Sequence, residues 1–359
     1  MGGRALLAAG GTGGHMFPAQ SLAEILKSEG WEVALMTDAR GQKHSGKIPA
    51  DHIIEVQAAS ISPRKPVQAL KGVLKLAKGV QQAKAFIRDW KPDIVVGFGG
   101  YPAFPAMRAA QSLGLPTILH EQNAVLGRVN RVFAAKANYV VSGFEVLEKV
   151  SPKAEVRNFG NPIRLQIAEA VPDKYKPPTG RINLLCVGGS LGARILSQTI
   201  PKAIALLPSE LRDKLQVVQQ TTQGEVETAQ ATYAACGVEA ICETFFSNIE
   251  EHLSKADYVI GRAGASSVSE IALMGKPSLL IPLAIAMDDH QTVNARSLSE
   301  RGAADILPES EFTPESVAKI LQDRLNDSNW LSSAAASARS CGRPNAARDL
   351  AQLVIANAS

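Results

Sequence analysis

Short apolar runs punctuate the chain at nearly regular intervals. Ala5–Ala9, Val33–Met36, Ile53–Val56, Ile94–Phe98, Thr117–His120 and Tyr139–Ser142 form a first series. Ile182–Val187, Leu215–Gln219, Ala240–Glu243, Tyr258–Ile260, Ser278–Pro282 and Ala304–Leu307 form a second. Most are bare hydrophobic runs without polar alternation, the pattern of parallel strands covered on both faces. Helical spacing lies between them, as in Pro18–Ser28 with Leu22, Ile25 and Leu26. Alternating strands and helices predict an α/β fold, and two series predict two Rossmann-like domains, each a doubly wound parallel sheet. The break falls at Asn161-Pro162-Ile163-Arg164, and the polar, proline-rich 171–180 stretch reads as a loop before the second series. The expected organisation is 1–163, 164–340 and a tail, 341–359, whose helix packs back on the first domain.

Composition narrows the class only a little. A chain of 359 residues is too long for one ordinary core, in keeping with two domains. Cys186, Cys236, Cys242 and Cys341 form no CxxC and no Cys/His cluster, so free thiols in a reducing compartment are expected. Arg4 leads straight into a strand-like run, unlike a secretory signal, and no apolar run reaches membrane-spanning length. The net charge of +4 is too mild to argue for nucleic acid.

Glycine turns carry more information. LLAAGGTGG at 6–14 and LLCVGGSLG at 184–192 repeat one pattern half a chain apart, each after the first strand of its series. Glycines there let the backbone approach a ligand, and the following helix offers unpaired N–H groups and a positive dipole end to an anion. Neither turn completes GxGxxG, because Met16 and Ser190 stand where glycine is required. Asp38 does sit where a dinucleotide-binding acid would, which keeps an NAD-dependent oxidoreductase among the alternatives. Phe98-Gly99-Gly100-Tyr101-Pro102 and the 261–267 stretch, GRAGASS, are two further glycine loops after strands. Four such loops at strand C-termini would line a cleft between two facing domains.

Several polar residues stand beside these loops. His15 opens a helix, where the positive helix end favours a neutral imidazole able to take a proton; packing or capping is the alternative role. His120-Glu121-Gln122-Asn123 ends a buried strand, either as a site or as a solvated turn with Asn123 as a cap. Ser267-Val268-Ser269-Glu270 matches a capping box, so Glu270 satisfies a backbone N–H or holds ribose hydroxyls. Asp288-Asp289-His290-Gln291 reads equally as a helix start or a sugar clamp. No Asp-x-Asp occurs, so a departing diphosphate would need helix dipoles and backbone amides rather than a chelated metal. Finally, the 62–90 segment places Leu70, Val73, Leu74 and Ala77 at i, i+3, i+4, i+7 among Arg64, Lys65, Lys71, Lys75, Lys78 and Lys84. Such a stripe lies on a sheet or on an anionic membrane, and both hold if the segment divides into two helices.

Taken together, GGTGGH at 10–15, GFGGYP at 97–102, HEQN at 120–123, GNPIR at 160–164, GGSLGAR at 188–194, GRAGASSVSE at 261–270 and DDHQTVNA at 288–295 resemble the MurG glycosyltransferases, in order over nearly the whole chain. The resemblance implies a GT-B fold and an inverting transfer of N-acetylglucosamine from UDP-GlcNAc to the C4 hydroxyl of the muramoyl unit of lipid I, giving lipid II and UDP for peptidoglycan. It implies a peripheral protein on the cytoplasmic face of the plasma membrane, docked on an anionic surface by the basic segment. It implies no required cofactor, with Mg²⁺ at most stimulatory. Residue by residue, it implies Ser190 and the amides at Ala265 and Ser267 on the donor diphosphate, and Arg164 as a donor contact. The backbone at Phe246 would read uracil, Glu270 the ribose, and Asn123, His290 and Gln291 the sugar, although His290 stands where some members carry glutamine. Thr12, Gly13, Gly14, His15 and Tyr101 would face the acceptor, with His15 as general base. A UDP-GlcNAc 2-epimerase is the alternative that shares architecture and donor.

Overall fold

The structure, a computed structural model, describes residues 2–10, 13–41, 48–59, 66–189 and 192–358, with the side chains of 66–69 left aside. It divides into two compact units: Met1–Leu165 with Arg343–Ser359, and Gln166–Gly342.

The first unit holds seven strands: β1 Arg4–Ala8, β2 Glu32–Thr37, β3 His52–Glu55, β4 Ile94–Gly97, β5 Thr117–Glu121, β6 Tyr139–Ser142 and β7 Val156–Asn158. All pair in parallel, in the order β3-β2-β1-β4-β5-β6-β7. The period of two sends Ala5, Leu7 and Ala9 to one core layer, and Leu6 and Ala8 to the other. Both faces are therefore buried, which is why the central strands carry no polar alternation. The helix Ala346–Asn357 closes one face, inserting Leu350, Ala351 and Val354 beside Leu22 and Leu26 of the helix Gly13–Ser28.

The second unit holds β8 Ile182–Val187, β9 Leu215–Gln220, β10 Glu239–Glu243, β11 Tyr258–Arg262, β12 Ser278–Ile281 and β13 Ala304–Ile306. They are parallel too, in the order β10-β9-β8-β11-β12-β13. Each sheet thus reverses its winding direction between two neighbouring central strands, β1 with β4 and β8 with β11. The crevice at such a switch point is where open α/β sheets take ligands. The four glycine loops follow these four strands.

Two expectations change here. β7 was not expected; its Val156, Arg157 and Asn158 are all exposed at the sheet edge, so no apolar run marks it. The basic segment forms one continuous helix, Pro66–Trp90, not two. Its buried stripe is Gly72, Leu76, Gly79, Ala83, Ile87 and Trp90, whereas Leu70, Val73 and Leu74 lie 64%, 48% and 63% exposed. A Cβ on Gly79 would come within 2.0 Å of the Gln57 carbonyl oxygen. That approach selects the small-residue face for the interior and turns the leucine-rich face outward. Arg64 and Lys65 lie outside the described residues.

Candidate functional site

In the first unit the turn after β1 lies against the loop after β4. A Cβ on Gly10 would fall 2.8 Å from Pro102 Cβ and 2.9 Å from Thr37 Oγ1, so only glycine fits between them. Thr12 lies outside the described residues. Gly13, Gly14 and His15 form the first turn of the helix Gly13–Ser28 and are half-buried. The His15 ring rests on the Gly99–Gly100 turn: its Cε1 is 3.5 Å from a Cβ built on Gly100, and its Cδ2 is 3.6 Å from one built on Gly99. Tyr101, half-buried, follows directly in the helix Gly100–Ser112. The tertiary fold therefore gathers His15, Tyr101 and the start of the first helix at the β1/β4 switch point.

The run at 120–123 is a buried polar network, not a solvated turn. His120 is fully buried; Gln122 Nε2 donates to its Nδ1 (3.1 Å), and its Nε2 lies 3.3 Å from the Gly160 carbonyl oxygen. An accepting Nδ1 assigns the proton to Nε2, which donates to Gly160. Burial pulls the His120 pKa down to about 4, against the Gly160 hydrogen bond, and proximity to His15 lowers it further. Glu121, 3% exposed, accepts four hydrogen bonds. Its Oε1 receives Asn123 N (3.1 Å) and Asn123 Nδ2 (3.3 Å), and its Oε2 receives Gly127 N (2.8 Å) and Asn130 Nδ2 (2.9 Å). Burial still raises its pKa above the ordinary carboxylate value. Glu121 thus fixes Asn123, which is no helix cap, since the next helix, Arg128–Phe133, is capped at Gly127. The Arg164 guanidinium sits 4.7 Å over the Phe17 ring.

Asp38 is consumed locally: its carboxylate accepts from Gly41 N (3.0 Å) and Arg40 Nε (3.0 Å). This removes the one feature that spoke for a dinucleotide ribose.

In the second unit the turn after β8 differs from its sequence twin. Gly189 (φ 82°) and Gly192 (φ 68°) both take left-handed backbone that disfavours side chains, and Gly192 N donates back to the Gly189 oxygen. Gly188 N is held by Gln220 Oε1 at 3.0 Å. Ser190 lies outside the described residues. The helix Ala265–Met274 starts at N-cap Gly264, and no side chain caps it. Ser267 is therefore inside the first turn, and the capping box does not form; Glu270 lies half-buried well inside the helix. The N–H groups at Ala265 and Ser267 belong to an uncapped, positively polarised helix end.

Two buried side chains hold the neighbouring loops, and neither was singled out from sequence. The Arg262 guanidinium donates to the Ile281 and Pro282 carbonyl oxygens (3.2 and 3.4 Å) and pairs with Glu309, whose other oxygen accepts from Ala284 N (3.1 Å). Asn294, fully buried, donates to the Ala263 oxygen at 3.1 Å, tying the helix His290–Ser299 to the loop after β11. Asp288 and Asp289 take consecutive left-handed conformations (φ 56° and 52°) just before that helix, costing on the order of 1–3 kcal/mol each. There His290 Nδ1 bonds the Met287 oxygen at 2.8 Å. Gln291 Oε1 accepts from Leu283 N at 3.0 Å, so the segment forms the start of the helix His290–Ser299. Phe246 is buried edge-on to His252, at 4.9 Å between centroids. No cluster of metal-ligating side chains occurs among the described residues.

Residues 5–142 match the glycosyltransferase family 28 N-terminal domain, and residues 183–354 match the family 28 C-terminal domain. A protein of Maricaulis maris is 50% identical over 98% of this chain and 96% of its own length. A Caulobacter vibrioides protein is 46% identical, covering 98% of each. Both are named UDP-N-acetylglucosamine--N-acetylmuramyl-(pentapeptide) pyrophosphoryl-undecaprenol N-acetylglucosamine transferase. The crystal structure of Acinetobacter baumannii MurG superposes with a TM-score of 0.81 at 31% identity, over 98% of this chain and 99% of that one. A putative UDP-N-acetylglucosamine 2-epimerase of Listeria monocytogenes has a TM-score of 0.68 at 17% identity, a likeness of fold alone.

Proposed function

The chain belongs to the MurG family of glycosyltransferases, and from that premise we propose that it transfers N-acetylglucosamine from UDP-GlcNAc to the C4 hydroxyl of the muramoyl unit of lipid I, giving lipid II and UDP for peptidoglycan. The carrying observation is identity of 50% over 98% of the chain with a relative that bears this activity in its name.

The donor is held mainly by the second unit. The uncapped N-terminus at Ala265 supplies N–H donors for the diphosphate, which suits a chain without Asp-x-Asp. Glu270, just over one turn into that helix, takes the ribose hydroxyls. Gln291 presents its amide N–H groups, and His290 its Nε2, to the sugar, with Phe246 contributing backbone at the uracil and Ser190 at the diphosphate. Arg164 and Asn123 complete the donor contacts. Thr12, Gly13, Gly14 and Tyr101 take the acceptor. His15 removes the C4 hydroxyl proton as that oxygen bonds to the anomeric carbon; the bond to the UDP oxygen breaks on the opposite face, so the configuration inverts. Removing this base should lower kcat by about 10²–10⁴-fold while the donor Kd is unchanged. A His15→Ala enzyme with near-normal kcat refutes the assignment.

No helix among the described residues is long and apolar enough to cross a membrane. The exposed Leu70, Val73 and Leu74, flanked by exposed Lys71, Lys75 and Lys78, support peripheral docking on the anionic cytoplasmic leaflet that holds the lipid acceptor. The decisive assay is UDP release from labelled UDP-GlcNAc with and without a lipid I analogue. Acceptor-dependent release is expected; conversion of the donor without acceptor overturns the reading.

A further inference from the structure

Gln220 ends β9, the strand between β8 and β10, and is 9% exposed. Its neighbour Gln219 points to the opposite face and is spent inside the unit: its Nε2 donates to the Leu196 oxygen at 3.1 Å, and its Oε1 accepts from the Tyr233 hydroxyl. Gln220 reaches sideways instead, to both flanking strands. Its Oε1 accepts from Gly188 N at 3.0 Å, and its Nε2 donates to the Thr244 oxygen at 3.2 Å. β8 ends at Val187 and β10 at Glu243, so each partner belongs to the first residue past its strand. The bond from Thr221 N to the Glu243 oxygen, at 2.8 Å, stops one residue short of Thr244. The Gln220 carboxamide does for these two strand ends what a peptide group does within the sheet. It fits in one orientation, because a flipped amide would set N–H against N–H and oxygen against oxygen. Both partners open segments assigned to the donor. Gly188 begins the turn that carries Ser190, and that turn folds tightly on itself: a Cβ on Gly188 would fall 2.4 Å from Ala193 N. Thr244 leads in two residues to Phe246, buried against His252.

We propose that Gln220 is a positioning residue for the donor nucleotide: its carboxamide fixes the turn that takes the diphosphate relative to the backbone that reads the uracil edge. The proposal deepens the donor reading given above and rests on it. A nucleoside diphosphate meets both segments at once, so its base and its diphosphate share one hydrogen-bonded brace. Without the brace, the Gly188 N–H and the Thr244 carbonyl lose their partner, and the two segments shift independently. A ligand that bridges them must then order both, whereas a ligand that meets one segment loses less. A loosened backbone at Phe246 also discriminates less between uracil and cytosine, because it can move to suit either edge. Gln220 acts through the two segments it joins, not on the reacting atoms.

The test measures the Kd of UDP, CDP and uridine by calorimetry on the full chain. The unaltered protein should bind UDP more tightly than either comparator. Gln220→Met, of similar length but without the carboxamide, should weaken UDP at least tenfold. The CDP-to-UDP and uridine-to-UDP Kd ratios should each shrink at least threefold. A merely structural role would weaken all three ligands by one common factor, so unchanged ratios overturn the proposal. Gln220→Glu keeps the shape and an acceptor for Gly188 N but sets a second oxygen against the Thr244 carbonyl. UDP and CDP carry the same diphosphate, so the added charge cancels in their ratio, which should again shrink at least threefold. An unchanged ratio there overturns the proposal even if the first variant does not fold. Gln216→Met, near the other end of β9, removes a contact to Glu239 and should change both ratios less than twofold. Equal changes at Gln216 and Gln220 also overturn it. An unaltered protein with no preference for UDP sinks the donor reading itself; an intact preference with unchanged ratios in the variants sinks the brace alone.

Discussion

Replacing Glu121 by glutamine tests whether a buried carboxylate organises the loop that presents Asn123. The change is nearly isosteric, so it opens no cavity. Each carboxylate oxygen accepts two N–H donors, one pair from Asn123 and the other from Gly127 and Asn130. Glutamine keeps one oxygen, and its NH₂ group must face one of the donor pairs. Two charge-assisted hydrogen bonds are then lost, at about 1.5–3 kcal/mol each. Burying a neutral amide in place of a carboxylate offsets part of this, leaving a net destabilisation of about 2–4 kcal/mol. In a unit of roughly 180 residues this lowers Tm by about 5–15 °C. Thermal denaturation followed by circular dichroism measures it. Because the loop carrying Asn123 loses its anchor, the KM for UDP-GlcNAc should also rise more than kcat falls. A Glu121→Gln protein with unchanged Tm would refute the network as the organiser of this loop.

Three further outcomes follow from the geometry. His120 titrates near 4 when folded against 6.5 for a free imidazole, so it stays neutral in the fold where the unfolded chain takes up a proton. Its contribution is complete above pH 6.5 and is lost as pH falls toward 4, up to about 3 kcal/mol, and a His120→Gln protein should show that much less acid sensitivity in urea titrations. Glu270→Ala should raise the donor KM well beyond what any loss of stability explains; a lowered Tm at constant KM would return Glu270 to a structural role. Leu70→Ser with Leu74→Ser should cut vesicle binding by roughly 30–700-fold, from about 2–4 kcal/mol of insertion by two side chains nearly two-thirds exposed, with Tm unchanged.

The twelve anticipated strands are all present: the central ones because a strand buried on both faces has only apolar residues to offer, the exposed edge strands β3 and β10 because they still carry the short apolar runs Ile53-Ile54 and Ala240-Ile241-Cys242. β7 escaped because an exposed edge strand needs none. Repetition of the glycine pattern indicated two ligand turns but hid a difference at its last position: Gly14 lies inside a helix, whereas Gly192 takes left-handed backbone. Likewise, Ser267-x-x-Glu270 fits a capping box by spacing, yet the helix begins at Ala265, two residues before Ser267.

By itself the sequence determined the two parallel sheets, the glycine loops at their strand ends and the residue types available to a diphosphate and a sugar. All of these are local consequences of hydrophobic period and backbone freedom. The tertiary structure alone decided which face of the helix Pro66–Trp90 goes inside. Both faces are apolar at helical spacing, but the close approach of Gly79 to the Gln57 carbonyl turns the small-residue face inward, so Leu70 and Leu74 were left outside. It also decided that Glu121, Arg262 and Asn294 hold the loops of the site. Their partners lie as far away as Glu309, Ile281 and Ala263, and only chain folding brings such donors and acceptors to hydrogen-bonding distance.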